Sequence, residues 1–290
     1  MTNPEGKPSV RTTSTLAAGV VLVVPLLSSG LALAQPASTG GATIEPIDTG
    51  PDDRISVIVG VGPGFAPDYE GSSYYQPVPF WNLMVANLYH PKTYVQLIGP
   101  RLRSNFLPDD HWRLGLSGQF IRERDDVHNN KVDDLKSVDA SVMLGVLGGY
   151  DFLADPQREL TLELDLRQDV ANDNGFLGTI RGISGARLSP SWRVDGFVGS
   201  TFASEDYMSS YFGIDAANAA RSGLDQHNAD AGVKDVNFGG VLTYRFLERW
   251  SVNGVATYAR LLGDAEDSPI VDDVGDANQF FGSILVNYRF

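Results

Sequence analysis

Residues 160–169 read LTLELDLRQD. Leu160, Leu162, Leu164 and Leu166 alternate with Thr161, Glu163, Asp165 and Arg167, so an extended chain here has one face of leucine and one of charge. Two settings suit such a ribbon. In a soluble β-sandwich the leucines turn inward; in a membrane-spanning barrel they turn outward to lipid.

The same period of two returns along the chain. In residues 54–62, RISVIVGVG, Ile55, Val57, Val59 and Val61 alternate with Arg54, Ser56, Ile58 and Gly60. Trp112, Leu114, Leu116 and Phe120 face away from Arg113, Ser117 and Gln119, and Trp192, Val194 and Val198 from Arg193 and Asp195. Val236, Phe238, Leu242, Tyr244 and Phe246 oppose Asp235, Asn237, Thr243 and Arg245. The last segment, NQFFGSILVNYRF at 278–290, sets Phe280, Ile284, Val286, Tyr288 and Phe290 against Gln279, Ser283, Asn287 and Arg289. Many of these apolar faces carry an aromatic near an end, as at a lipid–water boundary. Segments 137–152 and 231–246 exceed the usual length of globular strands. An apolar strand that runs to the final residue also needs surroundings that hold the chain end in place.

The opening residues point the same way. Lys7 and Arg11 precede an apolar run from Leu16 to Leu27, and Ala32-Leu33-Ala34 fits a signal-peptidase site. Residues 1–34 are therefore expected to be a cleaved secretory signal, 35–53 a flexible periplasmic lead segment, and 54–290 the folded domain. No later run approaches the roughly 18 apolar residues of a spanning helix. The chain has no cysteine, which removes disulfides, Cys-ligated zinc and thiol nucleophiles. A net charge of -14 argues against a nucleic-acid partner.

These readings converge on an all-β, transmembrane antiparallel β-barrel in the outer membrane of a Gram-negative bacterium. Eleven candidate strands can be counted, with the uncertainty before residue 111; because such barrels use even numbers, about twelve strands are expected, with ten the alternative. Residues 91–103 are read as one of the eleven. The long segments 125–136, 204–230 and 263–277 become extracellular loops, and links such as DPQR and LERW periplasmic turns. Glu163, Asp165, Arg167, Arg193, Asp195, Arg245 and Arg289 should face the lumen, there forming a structural charge network.

Chemistry outside this frame is sparse. Of His90, His111, His128 and His227, the last lies near Ser222 and Asp225, but no nucleophile elbow accompanies them and a solvated loop histidine is expected. Asp68 and Glu70, beside Pro67 and Gly71, read as turn chemistry rather than an acid–base pair. Asp264, Glu266, Asp267, Asp272, Asp273 and Asp276 could hold a divalent cation, yet lack the EF-hand order and read as a solvated acidic loop. The segment YFGIDAANAARSGL predicts a short helix ending near Gly223. No catalytic, cofactor or metal residue is assigned.

Three ordered motifs carry a family resemblance: GFAPDYEGSSYYQPVP, SSYFGIDAANAARSGL, and ARLLGDAEDSPIV with the terminal NQFFGSILVNYRF. Over residues 54–290 the chain resembles the MipA/OmpV family of outer-membrane proteins. The resemblance implies a non-enzymatic barrel that, in some members, brings a murein-cleaving lytic transglycosylase together with a murein-synthesising penicillin-binding protein. It also implies that Tyr288 and Phe290 are the signal read by the barrel-assembly machinery, and that outer-membrane lipid and lipopolysaccharide surround the protein. The alternative is a small-solute channel or ligand-binding barrel, and a third reading, a hydrolase at the mouth, would need His227.

Overall fold

A computed structural model describes residues 55–155 and 157–290; the expected signal (1–34) and lead segment (35–53) lie outside the described residues. Twelve strands run in chain order: β1 (Ser56–Pro67), β2 (Tyr75–Ala86), β3 (Tyr94–Ile98), β4 (Arg101–Asn105), β5 (Trp112–Ile121), β6 (Ser141–Asp155), β7 (Arg158–Asp169), β8 (Phe176–Arg187), β9 (Trp192–Ala203), β10 (Gly232–Arg245), β11 (Trp250–Leu261) and β12 (Asn278–Arg289). Each pairs antiparallel with its neighbours and β12 closes on β1, giving one sealed ring. Among the described residues no helix is long and apolar enough to cross a membrane.

The LTLELDLRQD ribbon now separates barrel from sandwich. Leu160, Leu162 and Leu164 are exposed at 42%, 45% and 47%, while Thr161, Glu163, Asp165 and Arg167 are buried at 3% or less. Leucine faces outward on the wall and charge faces inward, as hydrocarbon outside the barrel requires. Aromatic rings mark both ends of the apolar belt. At the end holding the C-terminus, Trp112 packs on Tyr150 at 4.8 Å, Trp192 on Tyr244 at 4.4 Å, and Trp250 on Tyr288 at 4.9 Å. At the other end Phe65 stacks on Tyr75 at 5.4 Å and Tyr258 meets Phe280 at 5.0 Å. Short turns lie at the C-terminal end, the periplasmic side in such barrels, and the long loops lie at the opposite mouth.

One expected strand was two. Residues 91–103 split into β3 and β4 because Gly99 takes φ +49 and Pro100 follows it, turning the chain back on itself. A side chain at Gly99 would meet the Phe80 ring at 2.4 Å, so the turn is also tied to the barrel interior. This missing strand brings the count from eleven to twelve.

The long loops are folded. The β5–β6 loop holds α1 (Asn130–Asp133), and the β9–β10 loop holds α2 (Glu205–Phe212) and α3 (Ala216–Ser222). The expected single helix through residues 211–224 is thus broken: Tyr211 and Phe212 end α2, and a new helix starts after Asp215, whose carboxylate accepts the Asn218 N–H at 2.7 Å. Gly223, at φ 67, ends α3 as expected. Tyr207, Met208, Tyr211 and Phe212 of α2 are buried with Ile121, Met143, Leu177 and Leu261 at the upper ends of the strands, so α2 is a stopper in the mouth. Tyr69, Val127, Val132, Ile214, Leu224 and Ile270 form a second apolar layer among the loops.

Candidate functional site

The lumen is the largest concentration of polar side chains, and the strand alternation builds it in layers. Nearest the periplasm, Arg113 bridges Asp151 at 2.8 Å and also contacts Glu159; Arg193 contacts Glu159 at 3.1 Å and Asp195 at 2.6 Å, and Lys92 reaches Asp151 at 3.4 Å. Three cations meet three carboxylates. One layer up, Glu163 is shared by Arg103 and Arg181, the latter at 3.2 Å, and Asp165 lies 3.4 Å from Arg167 and 3.9 Å from Arg181. Arg101 joins through Gln119 at 3.4 Å, which also accepts from Arg167. Among the described residues, four arginines gather here around two carboxylates.

Burial decides what this layer can do. The side chains of Arg181 and Glu163 have 0% exposure, and those of Arg103 and Arg167 only 3% and 2%. Beside the charges, Val78, Phe80, Ile98, Phe197, Phe281 and Leu285 fill the rest of the section with apolar packing, Phe80 meeting Phe281 at 4.9 Å. The interior in this state is a packed core of two chemistries.

At the mouth, Lys234 lies between Glu70 and Asp235, 2.7 Å from the latter; Tyr207 donates to Glu70 at 3.0 Å, and Asn237 donates to Asp235 at 2.6 Å. Arg124 donates to the Tyr211 carbonyl at 2.6 Å. Burial pushes the Tyr69 hydroxyl up to about 12 and raises those of Tyr207 and Tyr211 as well, the Glu70 carboxylate adding to both of the latter. Burial also pushes the Arg124 guanidinium down to about 10.

The expected site residues distribute as follows. Glu163, Asp165, Arg167, Arg193 and Asp195 are in the lumen network. Arg245 and Arg289 keep the inward parity of Thr243 and Asn287 and lie half-buried at the periplasmic rim, where they donate to the carbonyls of Pro190 at 2.7 Å and Glu248 at 3.4 Å, because each ends its strand. Asp68 and Glu70 also do more than shape a turn. Asp68 accepts from Gln76 and from the His128 N–H, both at 2.8 Å, while Glu70 enters the mouth network.

Ser222, Asp225 and His227 are not brought together as a triad: the Ser222 hydroxyl donates to the Asn218 carbonyl at 2.9 Å, and His227 Nε2 lies 2.8 Å from the Asp264 carbonyl. The 263–276 carboxylates also diverge. Asp264 accepts the Asp230 N–H at 2.7 Å, Glu266 pairs with Arg260, and Ile270 and Val271 carry the loop into the apolar layers.

Sequence reasoning missed Lys234, and the reason is local. A register shift between Val233 and Asp235 puts Lys234 and Asp235, adjacent in sequence, both inside the barrel. Period-two counting assigns them opposite faces. Arg101, Arg103, Arg113 and Arg181 were legible in principle, since each lies at a buried alternate position of its strand.

Comparison with known proteins places this architecture. The family model described as MltA-interacting protein MipA matches residues 59–290. The outer membrane protein Omp26La of Vibrio anguillarum is 28% identical over 149 residues, covering 46% of this chain and 56% of that protein. Outer membrane protein OmpV of Vibrio cholerae is 28% identical over 155 residues, with the same two coverages of 46% and 56%. The MltA-interacting protein of Escherichia coli K12 is 37% identical over 76 residues, 26% of this chain and 30% of that one. This chain thus spans about half the length of the first two relatives it matches.

Proposed function

This chain belongs to the MltA-interacting protein MipA family, and from that premise we propose that it is a non-enzymatic outer-membrane scaffold whose periplasmic rim holds a murein-cleaving lytic transglycosylase beside a murein synthase. The observation that supports the reading is the filled middle of the lumen. With Arg181 and Glu163 at 0% exposure, the surfaces left for action are the two rims.

The periplasmic rim has suitable features. Its two longest links, residues 87–93 and 106–111, are tied by the Tyr89 hydroxyl donating to the Phe106 carbonyl. Tyr89 and Phe106 are exposed at 64% and 39%, and elsewhere on the same rim Leu188 in the β8–β9 turn and Leu247 in the β10–β11 turn at 64% and 59%. Exposed apolar residues sharing these two links with the charged Asp109, Asp110 and Lys92 are a mixture that protein interfaces use. The name of the E. coli relative gives the first partner by analogy. Tyr288 and Phe290, in the periplasmic aromatic girdle with Phe290 exposed at 69%, are proposed to be read by the barrel-assembly machinery.

Cross-linked capture of the tagged protein from intact cells tests this. Enrichment of a lytic transglycosylase or penicillin-binding protein over an unrelated barrel is the expected result, reduced by Tyr89→Ala with Phe106→Ala. Recovery of assembly factors and lipid alone, joined by steady conductance in planar bilayers, would instead establish the channel reading.

A further inference from the structure

The barrel wall is lower on one side. β2 runs from Tyr75 to Ala86, yet β3 pairs with it only over Asn82–Ala86. On the far bank β4 pairs with β5 only from Arg101 to Arg103. Among the described residues, the edge of β2 from Tyr75 to Phe80 that faces away from β1 therefore has no strand beside it. The Gly99–Pro100 turn forms the floor of this notch: the Gly99 N–H donates to the Trp81 carbonyl at 2.8 Å, and the Phe120 N–H to the Pro100 carbonyl at 2.9 Å. The β5–β6 loop crosses above, where His128 stacks on Tyr74 at 3.7 Å.

Strand parity determines what this edge offers. The Trp81 carbonyl points toward β3, so Pro79, Pro77 and Tyr75, in steps of two, turn their backbone groups the same way. Proline has no N–H, so the donors that an incoming strand would need are absent at 77 and 79. β-Augmentation by a protein partner is disfavoured. An acyl chain needs no such donors. Both proline rings are exposed on the outer face, and Pro77 pairs with Phe65 of the outer aromatic girdle, so the notch lies in the outer-leaflet half of the belt. Phe80, behind it, is 4% exposed and closes the notch from the lumen.

The opposite bank carries exposed Phe120 and, two residues later, half-buried Arg122. Arg122 Nη1 is shut off from water without a hydrogen-bond partner among the described residues. A guanidinium at this level is suited to a phosphate group.

We propose that the notch seats one acyl chain of a phosphorylated glycolipid of the outer leaflet, with Arg122 on its phosphate. The proposal rests on the barrel's place in the outer membrane and is independent of the scaffold reading.

The test is native mass spectrometry of the full barrel, delipidated in mild detergent and titrated with lipid A, or with lipid A stripped of phosphate. Mg²⁺ is included because exposed Glu123, Asp125 and Asp126 beside Arg122 repel a bare phosphate. One lipid A should bind per barrel, with affinity falling about tenfold or more in Arg122→Gln or on removal of the phosphates, and partly kept in Arg122→Lys. A photoreactive side chain at Phe120 should capture lipid A in preference to one at lipid-facing Val198, a comparison that decides the matter if Arg122 variants fail to fold. Equal binding by wild type and Arg122→Gln, or equal capture at 120 and 198, would overturn the proposal.

Discussion

The middle of the barrel is filled by Arg103, Arg167, Arg181, Glu163 and Asp165, fixed on strands, whereas its mouth is filled by Tyr207, Met208, Tyr211 and Phe212, carried on a helix between strands. The two plugs differ in what holds them. The charged layer is held by ion pairing away from bulk solvent, where an ion deprived of its partner is far worse than no ion at all. The mouth plug is held by burial of apolar surface, which weakens in proportion to the area withdrawn. A change in the middle should therefore be felt by the whole barrel, and a change at the mouth should remain local.

Glu163→Ala is the strongest way to break this contrast. It leaves Arg103 and Arg181 facing each other without their shared carboxylate, and a loss of about 3–5 kcal/mol is expected. Urea unfolding in detergent, read by the mobility difference between unheated and boiled samples, should show the entire barrel shifted. If only loop protease sensitivity changes, the charged layer is not a global element.

Phe212→Ala, at a side chain with 0% exposure, should remove about 3 kcal/mol from the plug by leaving a cavity. Here the expected result is the reverse: faster proteolysis within residues 204–231 and an unchanged barrel midpoint. Loss of the folded barrel would show that the stopper and the wall are one cooperative unit.

Alkaline titration gives the mildest test. Tyr69, Tyr207 and Tyr211 have raised values in the folded state, so their contribution is full below the unfolded tyrosine value near 10 and is lost as pH rises through the folded values, about 12 for Tyr69. Tyrosinate absorbance and loop proteolysis should stay flat from pH 6 to 9 and rise together above about pH 10 while heat-modifiable mobility persists. A plug that loosens near neutral pH would point to a different titrating group.

The alternation of LTLELDLRQD and its counterparts made the wall legible, because in a strand the face of each residue is fixed by its own parity. The network members Glu163, Asp165, Arg167, Arg193 and Asp195 followed from that parity. Lys234 did not, because the bulge before Asp235 resets the count, and the β3–β4 split was hidden in a run whose Gly99-Pro100 turn was read through. Glu70 was read as a turn residue because its partner Lys234 is 164 positions away. No local signal joins them.

By itself the sequence determined an all-β outer-membrane barrel with an outward apolar face and an inward polar one, since period and composition act residue by residue. Only the tertiary structure decided that buried charged and apolar side chains fill the middle of the lumen, that the long loops form a stopper, and that one side of the wall stops short at a proline-edged notch. Those features depend on which strands and loops meet in space, and on how far each strand finds a neighbour, neither of which a local pattern encodes.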